Sequence, residues 1–291
     1  MMKTYQTLFK QSNSLLFNQP CVMQKDALTP FALTDVFIQY VATHNVPIFH
    51  FWQANQCVIL GMKDTRVTNL PAGLNVFKTA GYHFLARNSG GLAVVADEGV
   101  LNFSIIIPNS TEEKITVPEA YDFMTNVIQR AFDDFTCTIE AKEISASYCP
   151  GDYDLSINNK KFAGISQRRI GTGIAIMIYL SVNGHQIERG QMVHDFYKQS
   201  LEEEFGNNGY PPVDPYSMAN LSDLLQQDLS VEDVKKRITT VLTADFIQEL
   251  SDQPLQTFIG QPTENESFQK HMAKMIKRNE TILNDLEGVP L

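Results

Sequence analysis

The residues best suited to covalent chemistry fall in one stretch, Ser147-Tyr-Cys-Pro-Gly-Asp-Tyr-Asp-Leu-Ser-Ile-Asn-Asn-Lys-Lys-Phe-Ala-Gly-Ile-Ser-Gln-Arg-Arg169. Cys149 supplies a soft nucleophile that attacks as its thiolate, and an ammonium beside a thiol favours that form. Lys161 offers such an ammonium and, if desolvated, can also move protons. A thiol and a lysine in one apparent hairpin point to acyl transfer through a covalent intermediate. Most cysteines are small buried hydrophobes, and that reading suits Cys21, Cys57 and Cys137. Cys149 differs, because Pro150-Gly151 follows and Asp152 and Asp154 come next, which predicts a thiol on a loop ahead of a strand. A lysine after the Asn158-Asn159 turn is usually solvated. Here Phe162-Ala163-Gly164 follows, apolar and small, as at the wall of a cleft.

Other catalytic patterns are missing. The sequence holds no GxSxG, P-loop or GxGxxG; Gly171-Thr172-Gly173 is a fragment of the last, and His194-Asp195 are neighbours without a third partner. The six histidines never pair with cysteine at a ligand-like spacing, so no metal site is expected. The four cysteines lie far apart without CxxC. The opening Met1-Met-Lys-Thr-Tyr-Gln-Thr-Leu-Phe-Lys10 reads as neither signal nor transit peptide, so free thiols and a cytoplasmic location are expected.

Those groups need a scaffold, and the composition provides for one. Of 291 residues, 43% are hydrophobic and 19% charged, which is globular rather than disordered. A net charge of −10 argues against nucleic acid or an anionic membrane as partner, since both need a concentrated basic surface. The apolar run from Gly173 to Val182 is far short of the ~20 residues that a spanning helix needs.

Residues 1–28 give no clear pattern. Thr29 as cap and Pro30 in the first turn predict a helix to His44, with Phe31, Leu33, Val36, Phe37, Tyr40 and Val41 on one apolar face. Ile48–Trp52 and Cys57–Gly61 read as strands about a polar turn, Leu74–Ala80 as a short helix stopped by Gly81, and Tyr82–Arg87 as a further strand. Ser89–Leu92 holds a glycine pair that either turns a tight hairpin or lets the backbone approach a ligand. Ala93–Ala96 and Val100–Ile107 follow as strands, then a helix over Val117–Phe132 and a strand over Thr138–Lys142. Tyr153–Ile157 and Lys161–Gly164 flank the Asn158-Asn159 turn, and Ile174–Val182 has the continuity of a fully buried strand. Helices are expected over Val231–Leu250 and Glu264–Leu286, both on the surface. The organisation expected is α+β, with a catalytic domain over residues 1–210 and a helical C-terminal extension over residues 211–291.

Arg87-Asn-Ser-Gly-Gly-Leu-Ala-Val-Val-Ala-Asp97, followed by Leu101-Asn102, resembles the glycine-rich signature of the lipoate–protein ligase and octanoyltransferase family. Lys161-Phe-Ala-Gly164 resembles that family's lysine motif, and the order and separation of the two also match. The resemblance runs from about Trp52 to Val182. It implies the biotin/lipoate ligase-like fold, a mixed β-sheet with flanking helices and an apolar tunnel for an eight-carbon acyl chain. It also implies that Ser89, Gly90, Gly91 and Leu92 line the acyl and carrier site with Arg87 and Gly164, and that Lys161 contacts the activated acyl carbonyl. Leu92, Val94 and Phe162 are the tunnel-lining candidates. At ~0.8 kcal/mol per methylene, about five buried groups would contribute about 4 kcal/mol, enough for chain-length preference.

The sequence departs from the ligase pattern where ligases read a second arginine, a third glycine and a histidine; here stand Asn88, Leu92 and Ala96. Ligases also need no nucleophilic cysteine. Among cysteine-using members, one group places the thiol after the motif lysine and two place it before, as here. The wording Tyr148-Cys-Pro-Gly-Asp-Tyr-Asp154 with Phe162-Ala-Gly-Ile-Ser-Gln-Arg-Arg169 is most similar to one group of the family. Its members relay octanoate from the glycine cleavage H protein to lipoyl domains of dehydrogenase E2 subunits. The resemblance thus implies an octanoyl amidotransferase with a thioester on Cys149, Lys161 as thiolate and oxyanion stabiliser and proton carrier, and no cofactor. Three alternatives stay open: an octanoyl-acyl carrier protein transferase, an ATP-dependent lipoate ligase, and a silent module that only docks lipoyl domains. Arg168 and Arg169 either meet acidic carriers or end a solvated strand.

Overall fold

The computed structural model describes residues 13–109, 114–246 and 249–283. The expectations for Met1–Lys10 and for the helix beyond residue 283 lie outside them. The chain runs as β1 (Asn13–Asn18), α1 (Thr29–His44), β2 (Ile48–Trp52), β3 (Cys57–Leu60), α2 (Leu70–Thr79), β4 (His83–Ala86), β5 (Val94–Ala96), β6 (Val100–Pro108) and α3 (Val117–Ala131). It continues through β7 (Glu140–Ala141), β8 (Leu155–Ile157), β9 (Lys160–Ile170), β10 (Gly173–Ser181), α4 (Gln186–Leu201), α5 (Leu221–Leu225), α6 (Val231–Val241), β11 (Glu249–Asp252), α7 (Leu255–Ile259) and α8 (Pro262–Leu283).

A mixed sheet of eight strands has the order β11-β1-β2-β6-β10-β9-β8-β7, and a small sheet the order β4-β3-β5. At the centre, β6 and β10 pair antiparallel over their whole length, and both are buried almost throughout, as their unbroken apolar runs require. Alternation along the strands sends Phe49, Phe51, Leu101, Ile105 and Ile176 into a core with Met124 and Val127 of α3 and Val234 and Ile238 of α6. The opposite face packs Ile48, Ile106 and Ala175 on Leu33, Val36 and Phe37 of α1. Farther along that face, register aligns Trp52, Asn102, Tyr179 and Gly164 across four strands. There the small sheet replaces α1 as the cover, with Ile59, Val94 and Val95 in the cluster that holds Trp52 and Tyr179.

Several expectations held locally. Asn158 and Asn159, at φ 51° and 60°, turn β8 into β9 as a two-residue hairpin of positive φ should. Thr116 and Glu119 close a capping box that starts α3. Pro30 sits in the first turn of α1, although the helix already includes Thr29 and Leu28 caps it without a side-chain bond.

Long-range pairing changed the rest. β2 and β3 do not form a hairpin: β2 pairs with β1 and β6, and β3 with β4 and β5. Nor does the glycine pair turn a hairpin, because β4 and β5 lie on opposite edges of β3 and the loop crosses its end. The helix expected over Val231–Leu250 ends at Val241, and after a π-turn over Leu242–Phe246 the chain enters β11. Glu249 and Leu250 there pair in parallel with Asn13 and Ser14, a sheet-edge bond that outweighs the local helical pattern. Among the described residues, the segment beyond 211 therefore carries a strand as well as helices, and α6 puts Val234 and Ile238 into the core instead of lying wholly at the surface. No helix among the described residues is long and apolar enough to cross a membrane.

Candidate active site

Cys149 sits on the loop ahead of β8 in a left-handed backbone conformation, φ 48°, which a residue with a Cβ adopts only under constraint. Lys161 supplies the constraint. Its fully buried Nζ donates to the carbonyl oxygens of Tyr148 at 3.0 Å and Cys149 at 2.8 Å, and to Ser147 Oγ at 3.2 Å. The charge is matched by Asp154 Oδ1 at 2.9 Å. Burying two ions costs several kcal/mol each unless every group is satisfied. Here Asp154 Oδ2 also accepts the N–H groups of Gly151 and Ile144, at 3.2 and 3.3 Å. Burial pushes the Asp154 carboxyl up, against the lowering pull of Lys161.

The sulfur receives its polar contacts from the glycine loop. Leu92 N donates to Cys149 Sγ at 3.2 Å, and Arg87 Nη2 lies 3.8 Å from it. The same guanidinium donates to Gly90 O at 2.8 Å and Leu92 O at 2.9 Å, so Arg87 shapes the loop that faces the thiol. Gly91, at φ 94°, has no room for a side chain: a Cβ would stand 2.4 Å from Arg87 Nη2 and 3.2 Å from Sγ. Its carbonyl rests on Gly61, where an added Cβ would be 1.9 Å away. Gly164 is equally constrained, since a Cβ there would meet the Tyr179 ring at 2.8 Å.

Beneath the loop, Tyr197 donates to Asp64 Oδ1 at 2.7 Å and Gly61 N to Oδ2 at 2.7 Å, while Ala93 N reaches the Tyr197 oxygen at 3.4 Å. Burial raises the Asp64 carboxyl to about 6, partly offset by its bond from Tyr197. Arg168 braces the loop from outside. It grips both oxygens of Asp35 on α1, at 2.5 and 2.9 Å, and donates to Asn88 O at 2.8 Å. Arg169 turns to the carbonyls of Ile115 and Thr116. Arg168 is therefore not the end of a solvated strand.

A cavity of about 370 Å³ opens at Cys149, within the range of small-ligand sites. Arg87, Ser89, Gly90, Gly91, Cys149 and Gly164 all line it. Trp52, Ile59, Val94, Met177 and Ile178 supply apolar wall, and Tyr121 bounds one side while stacking on Tyr153 of the cysteine loop, centroids 4.6 Å apart. Leu92 and Lys161 act from behind that wall. Of the three tunnel candidates Val94 lines the cavity; Leu92 gives its N–H to the sulfur, and Phe162 points into the core on the other sheet face. A larger hollow of about 1040 Å³, between β4 and α8, has no cysteine in its lining.

Sequence reasoning gave no role to Asp154, Asn102 or Asp64. Asp154 had a readable signal, a carboxylate shortly after the thiol and before the lysine. Asp64 and Tyr197 had none, because only the tertiary fold joins them.

Residues 26–243 match the model of the lipoyl protein ligase A/B catalytic domain, and the chain belongs to that family. It is 41% identical over 259 residues to an octanoyl-[GcvH]:protein N-octanoyltransferase of Oceanobacillus iheyensis, covering 88% of this chain and 89% of the relative. It is 37% identical over 259 residues to a lipoyl-[GcvH]:protein N-lipoyltransferase of Listeria monocytogenes, covering 89% and 91%. Among solved structures, a lipoate-protein ligase A bound with ATP superposes with TM-score 0.68 at 16% identity, covering 95% of this chain and all of the other. That likeness bears on the fold, which is the lipoate ligase-like mixed sheet with flanking helices.

Proposed function

We propose that the chain takes an octanoyl group from an octanoyl-lysine of the glycine cleavage H protein onto Cys149 and delivers it to lysines of E2 lipoyl domains. It is an acyltransferase, as its relatives are. The observation that carries the thioester reading is the placement of Cys149, in the wall of the cavity with the Leu92 N–H and the Arg87 guanidinium aimed at its Sγ.

The thiolate attacks the amide carbonyl of the octanoyl-lysine, forming a C–S bond and an oxyanion. The tetrahedral intermediate collapses, the C–N bond breaks, and the departing lysine amine takes a proton from Lys161. The acyl chain stays in the cavity as a thioester while the donor leaves. A neutral lysine amine of the acceptor then attacks the thioester carbonyl. Its C–N bond forms as the C–S bond breaks, and the released proton returns to Lys161. One amide is exchanged for another, so the sum is nearly neutral in free energy and needs no ATP. Leu92 N–H and Arg87 stabilise the sulfur anion at both ends of the cycle. Lys161 acts at a remove, its charge anchored by Asp154 and spent on shaping the cysteine loop until an amine arrives. We place the reaction in the cytoplasm and divide the chain at about residue 211, with the transfer chemistry confined to the N-terminal part.

The test is a transfer assay with purified chain, a lipoyl domain and one donor at a time, without ATP. Octanoyl-H protein should sustain transfer. Supporting transfer only from octanoyl-acyl carrier protein, or only from free octanoate with ATP, would reject the reading. A parallel lipoyl-H protein arm reads whether the cavity accepts the dithiolane.

A further inference from the structure

Among the described residues, Asn102 is the one carboxamide in the wall of the cysteine cavity whose nitrogen finds no partner. It is the third residue of β6, in the register row Trp52–Asn102–Tyr179–Gly164, and all four residues line the cavity. The side chain is only 8% exposed, and among the described residues Nδ2 makes no hydrogen bond. A desolvated amide N–H without an acceptor costs free energy, and such a group in a native structure calls for an explanation, a catalytic role among them.

The chemistry of the ligand selects the partner. An octanoyl group has a single polar function, its carbonyl, and the rest of the chain offers nothing to a donor. Leu92 N and Arg87 Nη2 are engaged on the sulfur, and Lys161 on two backbone carbonyls and Asp154; the Tyr179 hydroxyl, in the same row as Asn102, likewise has no partner among the described residues. Ser104 and Ser166 line the same cavity two residues farther along, in the next row of that face, with Met177 between them. Tyr179, the cross-strand partner of Asn102, stacks on Tyr148, the neighbour of Cys149, with ring centroids 6.0 Å apart, and Lys161 Nζ lies 5.8 Å from its ring centroid. The row of Asn102 is therefore the one at the reacting end.

We infer that Asn102 is a catalytic residue, whose side-chain N–H donates to the acyl carbonyl oxygen and to the oxyanion formed when Cys149 attacks. This rests on the thioester reading above. Loss of one such donor lowers kcat by about 10²-fold or more.

The experiment compares wild type with Asn102→Ala and Asn102→Asp, the second keeping the shape while removing the N–H. Octanoyl transfer should fall about 10²-fold in kcat with KM nearly unchanged. In the octanoyl-Cys149 adduct, isotope-edited infrared spectra should show the ¹³C=O stretch moving to higher wavenumber in both variants. Turnover within about twofold of wild type, or an unmoved stretch, overturns the assignment. Should neither variant fold, ¹⁵N-asparagine spectra of wild type decide: a side-chain amide pair must shift on octanoylation, and no shift overturns the assignment. A wild-type chain that never takes an octanoyl increment sinks the thioester reading, and this inference with it. Normal loading with indifferent Asn102 variants sinks this inference alone.

Discussion

Lys161 meets Cys149 through the backbone: Nζ stands 2.8 Å from the Cys149 carbonyl oxygen, while the sulfur takes its hydrogen bond from the Leu92 N–H at 3.2 Å. The lysine thus holds the cysteine in its left-handed turn, and the glycine loop holds the sulfur. Two elements far apart in sequence each fix one end of the same residue.

The buried pair gives the first prediction. Lys161→Met leaves the Asp154 carboxylate uncompensated and should cost about 3–5 kcal/mol in urea unfolding. Adding Asp154→Asn removes the stranded charge and keeps an acceptor for the Gly151 and Ile144 N–H groups. Roughly half of the loss should return, with no return of octanoyl transfer. Recovery of both would mean that the lysine has no part in the chemistry.

The two adjacent glycines should behave differently. Gly91→Ala forces a Cβ against Arg87 and the sulfur at positive φ, so Cys149 loading should fall at least about 10²-fold and stability by about 1–2 kcal/mol. At Gly90 an added Cβ meets nothing within 4 Å, and Gly90→Ala should stay within about 0.5 kcal/mol of wild type with loading retained. Equal effects at the two positions would refute the packed loop.

Tyr197→Phe should be pH-dependent. Burial raises the folded pKa of Asp64 to about 6 from its ordinary 3.8. Its contribution to stability is fully present below about 3.8 and is lost as pH rises through about 6. At pH 8 the Tyr197 hydroxyl bonds an ionised carboxylate, worth about 1.5–3 kcal/mol, and at pH 5 a mostly neutral acid, worth about 1 kcal/mol. Denaturation at the two pH values should show the larger loss at pH 8. His50, lowered to about 3 by burial, is present in both proteins and cancels from the difference. A larger loss at pH 5 would contradict the assignment of Asp64.

Arg168 separates loop bracing from carrier docking. Its bonds to Asp35 and Asn88 predict that Arg168→Met slows loading from octanoyl-H protein and from a small octanoyl thioester by a similar factor. Arg168→Lys should not restore the rate, because an ammonium cannot grip both carboxylate oxygens. A defect confined to the protein donor would instead mark a docking residue.

The legible part of the site was the part written locally. Cys149 and Lys161 share one hairpin, and the Asn158-Asn159 turn between them has its own chemistry. The glycine loop was legible as a motif but not as a geometry, since φ 94° at Gly91 and its seat on Gly61 depend on β3 coming between β4 and β5. Asp35 and Arg168 are 133 positions apart, and no pattern in either segment names the other. Asn102 was legible as part of the glycine-rich signature but not as a role, because nothing in an apolar strand says which side chain the register will place in a cavity wall. β11 was misread for a related reason: a parallel partner at the far end of the chain, β1, decides its state.

The most direct test of the account is the intact mass of the chain after mixing with octanoyl-H protein, before and after a lipoyl domain is added. The account predicts one octanoyl increment, absent from Cys149→Ser, that appears with the donor and disappears as the lipoyl domain gains it. Transfer without any increment on the chain, or an increment that survives in Cys149→Ser, would contradict it.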